Sequence, residues 1–257
     1  MYPSTGSEPQ PSYIPNDVLV VTFHDGPTGD NLTDDKLAYL DAHNLHADFF
    51  LNTNNYCDIS TGTGPQNCIA ELVDVLKLHN PTNHTEHHAD LENAGNMPAC
   101  TDTACVNSEL SNVESVIKTV SMGGRTHLTR IRPPFGSYVS GSSAATVIAT
   151  YGVALGENID PGDWALTNPT GADVANALIA LIKSPTDSSH SWGVIGFHVF
   201  VQGTTDALPI LFDPMNGYIV KNGFRLGTIE DVICWKYGMH SWDIVNQLNP
   251  GAGRGPN

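Results

Sequence analysis

The sequence predicts an α/β protein whose parallel strands form a closed or nearly closed (β/α) barrel of about seven units. Three observations lead to this fold class. Short apolar runs rich in β-branched residues alternate with amphipathic helical patterns along the 257 residues. Ionisable residues stand where several predicted strands end. No Gly-rich phosphate loop follows the first strand, which disfavours an open doubly wound, nucleotide-binding sheet, the main alternative.

The first strand is the clearest single element. Residues 17–23 (DVLVVTF) form an apolar run that ends at the turn signal HDGP. Further strands are predicted at residues 47–52, 127–132, 153–159, 193–198 and 224–228. Helices are predicted at residues 30–45, 69–78, 106–120, 144–151, 171–183, 208–222 and 229–237. The chain is thus divided into a leader (residues 1–16), one domain (residues 17–240) and a C-terminal tail (residues 241–257).

The charge of the chain argues against some classes of partner. The formal net charge is −16, with 27 acidic and 11 basic side chains. A nucleic-acid-binding protein normally carries a basic stripe, and the sequence has none. No apolar run approaches the ~18 residues of a membrane span. We therefore expect a protein that binds neither nucleic acid nor membrane. We also expect it to be a monomer.

The five cysteines suggest an oxidising compartment. Cys57 and Cys68 form one pair that is close in sequence, and Cys100 and Cys105 form another, each among turn-forming residues. Local pairs of this kind are typical of disulfides in secreted proteins, with Cys234 left as a free thiol. The alternative is five reduced thiols in a cytosolic protein.

The ionisable residues at the predicted strand ends form the candidate site. In a parallel barrel the carboxyl ends of the strands share one face, where catalytic residues converge. A single residue of this kind could be a cap or a turn residue, but that explanation is poor for all of them together. The set comprises His24, Asp25, Arg132, Asp160, Asp163 and His198.

Two histidines complete a possible metal site. His84 and His88 are four residues apart, so they share a face if this stretch is helical. With Asp25 as an oxygen ligand they leave open coordination positions for water and substrate, as a catalytic metal site requires. The pattern His-x-x-x-His is weak by itself, and the alternative is a cluster of surface histidines.

Five segments, in this order, resemble the motifs of the NodB-type polysaccharide deacetylases, carbohydrate esterase family 4. VVTFHDGP (residues 20–27) resembles the family's TFDDGP, and NHTEHHADL (residues 83–91) resembles its HSxxH or HTxxH segment. RPPFG, DPGDW and GVIGFH (residues 132–136, 160–164 and 193–198) resemble its RxPYG, DxxDW and Leu-x-His segments. The resemblance covers most of the chain and implies a distorted (β/α) barrel.

The resemblance also implies a role for each matching residue. Asp25, His84 and His88 would bind one divalent metal ion, with Zn²⁺ expected and Co²⁺ or Ni²⁺ as alternatives. His198 would donate a proton to the leaving amine, and Arg132 and Asp163 would position and tune the catalytic pair. The residues expected to contact the substrate are Pro134, Phe135 and Trp164. The backbone N–H of Phe135 would help to bind the oxyanion that forms at the acetyl carbonyl, and Trp164 would line the sugar groove.

One position departs from the family pattern. The first Asp of TFDDGP is the family's general base, and in this chain it is His24. An imidazole could itself take the proton from water. Alternatively, His24 points at the metal or cannot reach the water, and the enzyme is weakened or inactive. Arg132 would favour a neutral His24, which suits a base but leaves Arg132 without its carboxylate partner.

The sequence therefore supports three hypotheses about function. The first is a secreted or cell-wall-associated enzyme that removes N-acetyl groups from a chitin-like N-acetylated glycan. The second is an inactive homologue that binds carbohydrate or metal. The third is the same metal-assisted hydrolysis acting on an ester or a small amide.

Overall fold

The computed structural model describes residues 13–125, 127–182, 193–250 and 253–255, and it contains a seven-stranded parallel sheet. The strand order is β5-β4-β3-β2-β1-β6, and β7 pairs with the first half of β1. The strands are β1 (Val18–Gly26), β2 (Asp48–Leu51), β3 (Asn80–Asn83), β4 (Arg130–Ile131), β5 (Val153–Ala154), β6 (Gly193–His198) and β7 (Arg225–Gly227).

Helices follow most of the strands and connect them, as parallel pairing requires. They are α1 (Leu32–Ala42), α2 (Gln66–Leu78), α3 (Thr103–Val120), α4 (Ser143–Tyr151), α5 (Gly171–Ile182), α6 (Gln202–Phe212), α7 (Tyr218–Lys221), α8 (Ile229–Tyr237) and α9 (Ser241–Leu248).

The sheet curls until its two edges nearly meet. The segment after β5 returns to β6, where Ile159 forms an isolated parallel bridge with Ile195. The amide of Gly196 donates to the carbonyl of Ile159 over 3.0 Å. The predicted α/β class and the distorted barrel are therefore confirmed, with closure made by one short contact rather than a full pair of strands.

Strand β1 lies at the centre of the core. It pairs in parallel with both β2 and β6, and it is buried along its whole length. Phe23 stacks between Phe49 of β2 and Phe197 of β6, with ring centroids 5.2 and 5.9 Å apart. This packing fixes the C-terminal ends of three adjacent strands, which carry much of the candidate site.

Some predicted elements differ from the structure. The predicted helix at residues 208–222 is two helices, α6 and α7, because Asp213 accepts hydrogen bonds from the amides of Met215 and Asn216 and turns the chain. Strand β3 was not predicted, since its sequence NPTN has no apolar alternation. Backbone pairing with β2 and β4 makes it a strand.

Residues on both sides of the predicted domain, 17–240, pack against the barrel. Residues 1–12 of the predicted leader lie outside the described residues, but Ile14 is buried in the core. Helix α9 lies in the predicted tail and buries Val245. Arg254 pairs with the buried Glu114 of α3, so part of the tail packs on the barrel.

The predicted disulfides are present. Cys57 is bonded to Cys68 and Cys100 to Cys105, while Cys234 in α8 is a free thiol. The first disulfide packs directly on the loop after β1: a Cβ added at Gly29, whose φ is +71°, would lie 2.6 Å from the sulfur of Cys68. Gly29 is therefore needed both for its backbone conformation and for this close approach.

The thiol content of the purified protein provides a direct measurement of this pairing. We expect thiol counting under denaturing, non-reducing conditions to find one thiol per chain, and five after reduction. Five thiols without reduction would contradict both the pairing and the oxidising compartment that it suggests.

No helix within the described residues is both long and apolar enough to cross a membrane.

Candidate active site

The end of β1 presents two consecutive side chains to the same cavity. Neighbouring residues of a regular strand point to opposite faces. The pairing of β1 with β2 shifts between His24 and Gly26, and Asp25 adopts a left-handed conformation with φ 73°. This bulge turns Asp25 so that it lines the cavity together with His24.

The two histidines of the second motif lie in a loop after β3, so the helical arrangement considered from the sequence is wrong. Thr85 and His88 both have positive φ values, 67° and 56°, which a right-handed helix excludes. The side chain of Asn83 accepts from the amide of Thr85, and the Thr85 hydroxyl accepts from the amide of Ala89. This turn, rather than helical spacing, brings His84 and His88 to the same point.

Three possible ligand atoms converge at this point. Oδ1 of Asp25 lies 3.3 Å from Nε2 of His84 and 3.2 Å from Nε2 of His88. Nδ1 of His84 donates to the carbonyl of Arg132 over 2.5 Å, and burial lowers the pKa of His84 to about 4. His84 is therefore neutral at pH 7, with an unprotonated Nε2 that faces a carboxylate.

This geometry fits a cation. Asp25 Oδ1 and His84 Nε2 are both buried acceptors without a hydrogen-bond partner among the described residues. Buried polar atoms are normally paired, because leaving them unpaired costs free energy. A divalent ion would satisfy both, and a hydrogen bond from the second ring nitrogen to a backbone carbonyl is the usual support of a metal-binding histidine. The structure thus contains a possible metal-binding group in Asp25, His84 and His88.

His198 at the end of β6 is held by the buried Asp163. Nδ1 of His198 lies 2.8 Å from Oδ1 of Asp163, while Oδ2 accepts from the His198 amide and the Thr204 hydroxyl. Burial lowers the pKa of His198, but the hydrogen bond and charge of Asp163 outweigh burial and raise this pKa above its ordinary value. The bond to Asp163 occupies Nδ1 and leaves Nε2 available as a proton donor.

His24 lies between these two groups. Its ring centroid is 5.5 Å from that of His84 and 5.1 Å from that of His198. The Thr22 hydroxyl donates to the carbonyl of Ile195 and so accepts from Nε2 of His24, which places the proton of a neutral His24 on Nε2. Burial, then the charges of His198, Arg132 and His84, lower the pKa of His24 well below its ordinary value.

Arg132 is not left without a carboxylate partner, as one reading of the sequence predicted. Its guanidinium Nη2 forms a close ion pair with Oε2 of Glu157, which follows β5. The side chains of Arg132 and Glu157 are only 4% and 13% exposed. The sequence analysis missed Glu157, although it lies three residues before the DPGDW motif; its role depends on a contact across the barrel.

The possible ligands, His24, Arg132, Glu157 and His198 line one cavity of about 380 Å³, and Asp163 is buried behind His198. Phe135 and Trp164 lie at its rim and are more than half exposed, at 53% and 56%. Phe200, which was not predicted, also lines it, with its ring 5.4 Å from that of His198. Pro134 is buried beside Phe135 and is not among the residues that line the cavity.

The motif residues and the fold agree with a comparison with known families. The family model described as "Polysaccharide deacetylase" matches residues 13–154 of the 257-residue chain. The protein therefore belongs to the polysaccharide deacetylase family. No curated protein sequence gives a significant match.

Solved structures share the fold at low sequence identity. The Bc1960 peptidoglycan N-acetylglucosamine deacetylase is 21% identical with a TM-score of 0.62, covering 85% of this chain and 88% of that chain. Peptidoglycan deacetylase PdaC from Bacillus subtilis is 20% identical with a TM-score of 0.61, covering 86% of this chain and 92% of that chain. A CE4 family pseudoenzyme from Bacillus anthracis is 14% identical with a TM-score of 0.64. That comparison covers 84% of this chain but only 65% of the pseudoenzyme.

Proposed function

We propose that the protein is a metal-dependent N-deacetylase of N-acetylglucosamine-containing glycans, secreted or attached to the cell wall. The single observation that carries this proposal is the convergence of three possible ligand atoms, from Asp25, His84 and His88, in a cavity that also contains a histidine held by a buried aspartate. Membership of the family and the two local disulfides support the same conclusion. Zn²⁺ is the metal that best suits two imidazoles and one carboxylate.

The proposed reaction assigns tasks to the possible metal ligands, to His198 with Asp163, and to the aromatic side chains of the cavity. An ion held by Asp25, His84 and His88 would act as a Lewis acid that polarises the acetamide carbonyl and makes water more acidic. His198 gives its Nε2 proton to the leaving amine, and Asp163 keeps it protonated and oriented. Trp164, Phe135 and Phe200 offer apolar faces on which sugar rings can pack.

The pairing of His198 with Asp163 leads to a prediction about pH dependence. A proton donor is active only below its pKa, and Asp163 raises the pKa of His198. Replacing Asp163 with asparagine removes that effect, so the alkaline limb of the kcat/KM profile should move to lower pH, by about one unit or more. An unchanged alkaline limb in a folded Asp163→Asn protein would contradict the role of His198 as acid.

Acetate release tests the proposed activity directly. Protein loaded with Zn²⁺ should release acetate from chitin oligomers, and a chelator should stop the release until the metal is restored. Peptidoglycan fragments and acetylated xylan provide alternative substrates that separate an amide from an ester. Zn²⁺ binding without hydrolysis of any of these compounds would contradict the proposal.

A second function is favoured by one specific observation, the replacement of the family's base by His24. A glycan-binding homologue without activity would keep the cavity and its rim aromatics. The Bacillus anthracis protein is described as a pseudoenzyme, and one of its mutants as having restored enzymatic activity. Binding of chitin oligomers measured by calorimetry, without acetate release by either the native protein or His24→Asp, would favour this alternative.

A further inference from the structure

We infer that Glu157 is the general base of the proposed deacetylation, in place of the residue that His24 replaces. This inference rests on the proposed function. Glu157 lines the cavity together with Asp25, His84, His88 and His198. It is the carboxylate that pairs with Arg132.

The barrel interior contains a space that Glu157 fills. A Cβ added at Gly196 of β6 would lie 2.9 Å from Cγ of Glu157, so the absence of a side chain at residue 196 makes room for this glutamate. Gly196 pairs with Thr22, and two residues further along the same strands His198 pairs with His24. Residues two apart in a strand share a face, so Gly196 and His198 face the same side of β6. Glu157 packs on Gly196 and therefore lies on the same side of the strand as His198.

The neighbouring groups favour Glu157 over His24 as the proton acceptor. His24 is held by the hydrogen bond from its Nε2 to the hydroxyl of Thr22, and its ring is packed against those of Phe50 and His84. Glu157 has a carboxylate oxygen paired with the guanidinium of Arg132, and its side chain is 13% exposed, so it can reach water in the cavity. The site therefore contains a carboxylate–guanidinium pair that lines the cavity, with its carboxylate on the loop after β5.

The hydrolysis consumes one water molecule and uses two proton transfers. Glu157 takes one proton from water as the water oxygen bonds to the acetamide carbonyl carbon. The C–N bond then breaks, and His198 gives its proton to the amine nitrogen. The products are acetic acid and the free amino sugar. Glu157 loses its proton to solvent, and His198 takes one back.

A double-mutant cycle with His24 separates this role from a purely structural one. Glu157→Gln should lower kcat about 100-fold in the native background. In the His24→Asp background the restored carboxylate can take the proton, so the same change should cost less than about tenfold. Glu157→Asp, which keeps the charge, should recover part of the loss. An equal cost in both backgrounds would overturn the inference.

Glu114→Gln is the matched control for Glu157→Gln. Glu114, like Glu157, is a glutamate with little exposed surface that pairs with an arginine, Arg254, but it does not line the cavity. We expect it to lower the melting temperature while leaving the pH profile of activity unchanged. A loss of activity in Glu157→Gln that is matched by Glu114→Gln would show a general effect of losing a buried ion pair, and would overturn the inference.

A second readout does not depend on turnover. The visible absorption of Co²⁺-loaded protein changes with pH as groups at the ion ionise. Removing the negative charge of Glu157 favours that ionisation, so the midpoint in Glu157→Gln should fall by about one pH unit, and the midpoint in Glu114→Gln should not move. An unmoved midpoint in Glu157→Gln overturns the inference even if the protein is active. A moved midpoint without acetate release from any variant overturns the proposed function alone.

Discussion

Replacing His84 with alanine is expected to abolish both metal binding and acetate release. His84 is buried and its Nδ1 is fixed on the carbonyl of Arg132, so its Nε2 has only one orientation, towards Asp25. Losing a ligand should weaken metal binding by more than the 10–100-fold that loss of a supporting contact costs. We expect less than 0.1 Zn²⁺ per chain by elemental analysis after dialysis, against about one in the native protein, as a three-ligand site implies.

His87→Ala is the matched control for this experiment. His87 lies in the same loop, but its side chain is 43% exposed and its Nδ1 contacts Glu109 rather than the cavity. This variant should keep its metal and its activity. If His84→Ala binds Zn²⁺ as tightly as the native protein, then Asp25, His84 and His88 do not form the metal site.

Replacing His24 with aspartate is expected to raise acetate release by about tenfold, because it adds a second carboxylate base to a site in which Glu157 already takes the proton. The bulge at Asp25 already turns residue 24 and residue 25 towards the same cavity. A carboxylate at position 24 would therefore enter a site that has a possible metal-binding group, an arginine and a proton donor.

The pH profile distinguishes this expectation from catalysis by His24 itself. If His24 accepts the proton, His24→Asp should leave the maximal rate similar and move the acidic limb of the profile to lower pH, because carboxylates titrate below imidazole. His24→Ala provides the control for loss of the ring without gain of a carboxylate. A metal-loaded His24→Asp protein that is inert on every N-acetylated glycan would contradict the deacetylase function.

The sequence predicted the site better where the motif and the strand coincide than where a loop forms it. His24 and Asp25 follow a run that could only be a buried strand, so their place at the face of the barrel could be predicted. His84 and His88 were expected beside Asp25, and the structure places the three together, but in a loop rather than in the helix that their spacing allowed. Two side chains four positions apart can reach the same point either through helical spacing or through a turn with positive φ values. The sequence does not distinguish these two cases.

The pattern of apolar strands, amphipathic helices and local cysteine pairs determined by itself the α/β barrel, the disulfides and the residues expected at the strand ends. These features depend on local spacing, which the sequence displays directly. Only the tertiary structure decided which carboxylate pairs with Arg132. Glu157 meets Arg132 because the chain after β5 returns to β6 and Gly196 leaves space there. Such a pair depends on the curl of the whole sheet, and no local pattern in the sequence records it.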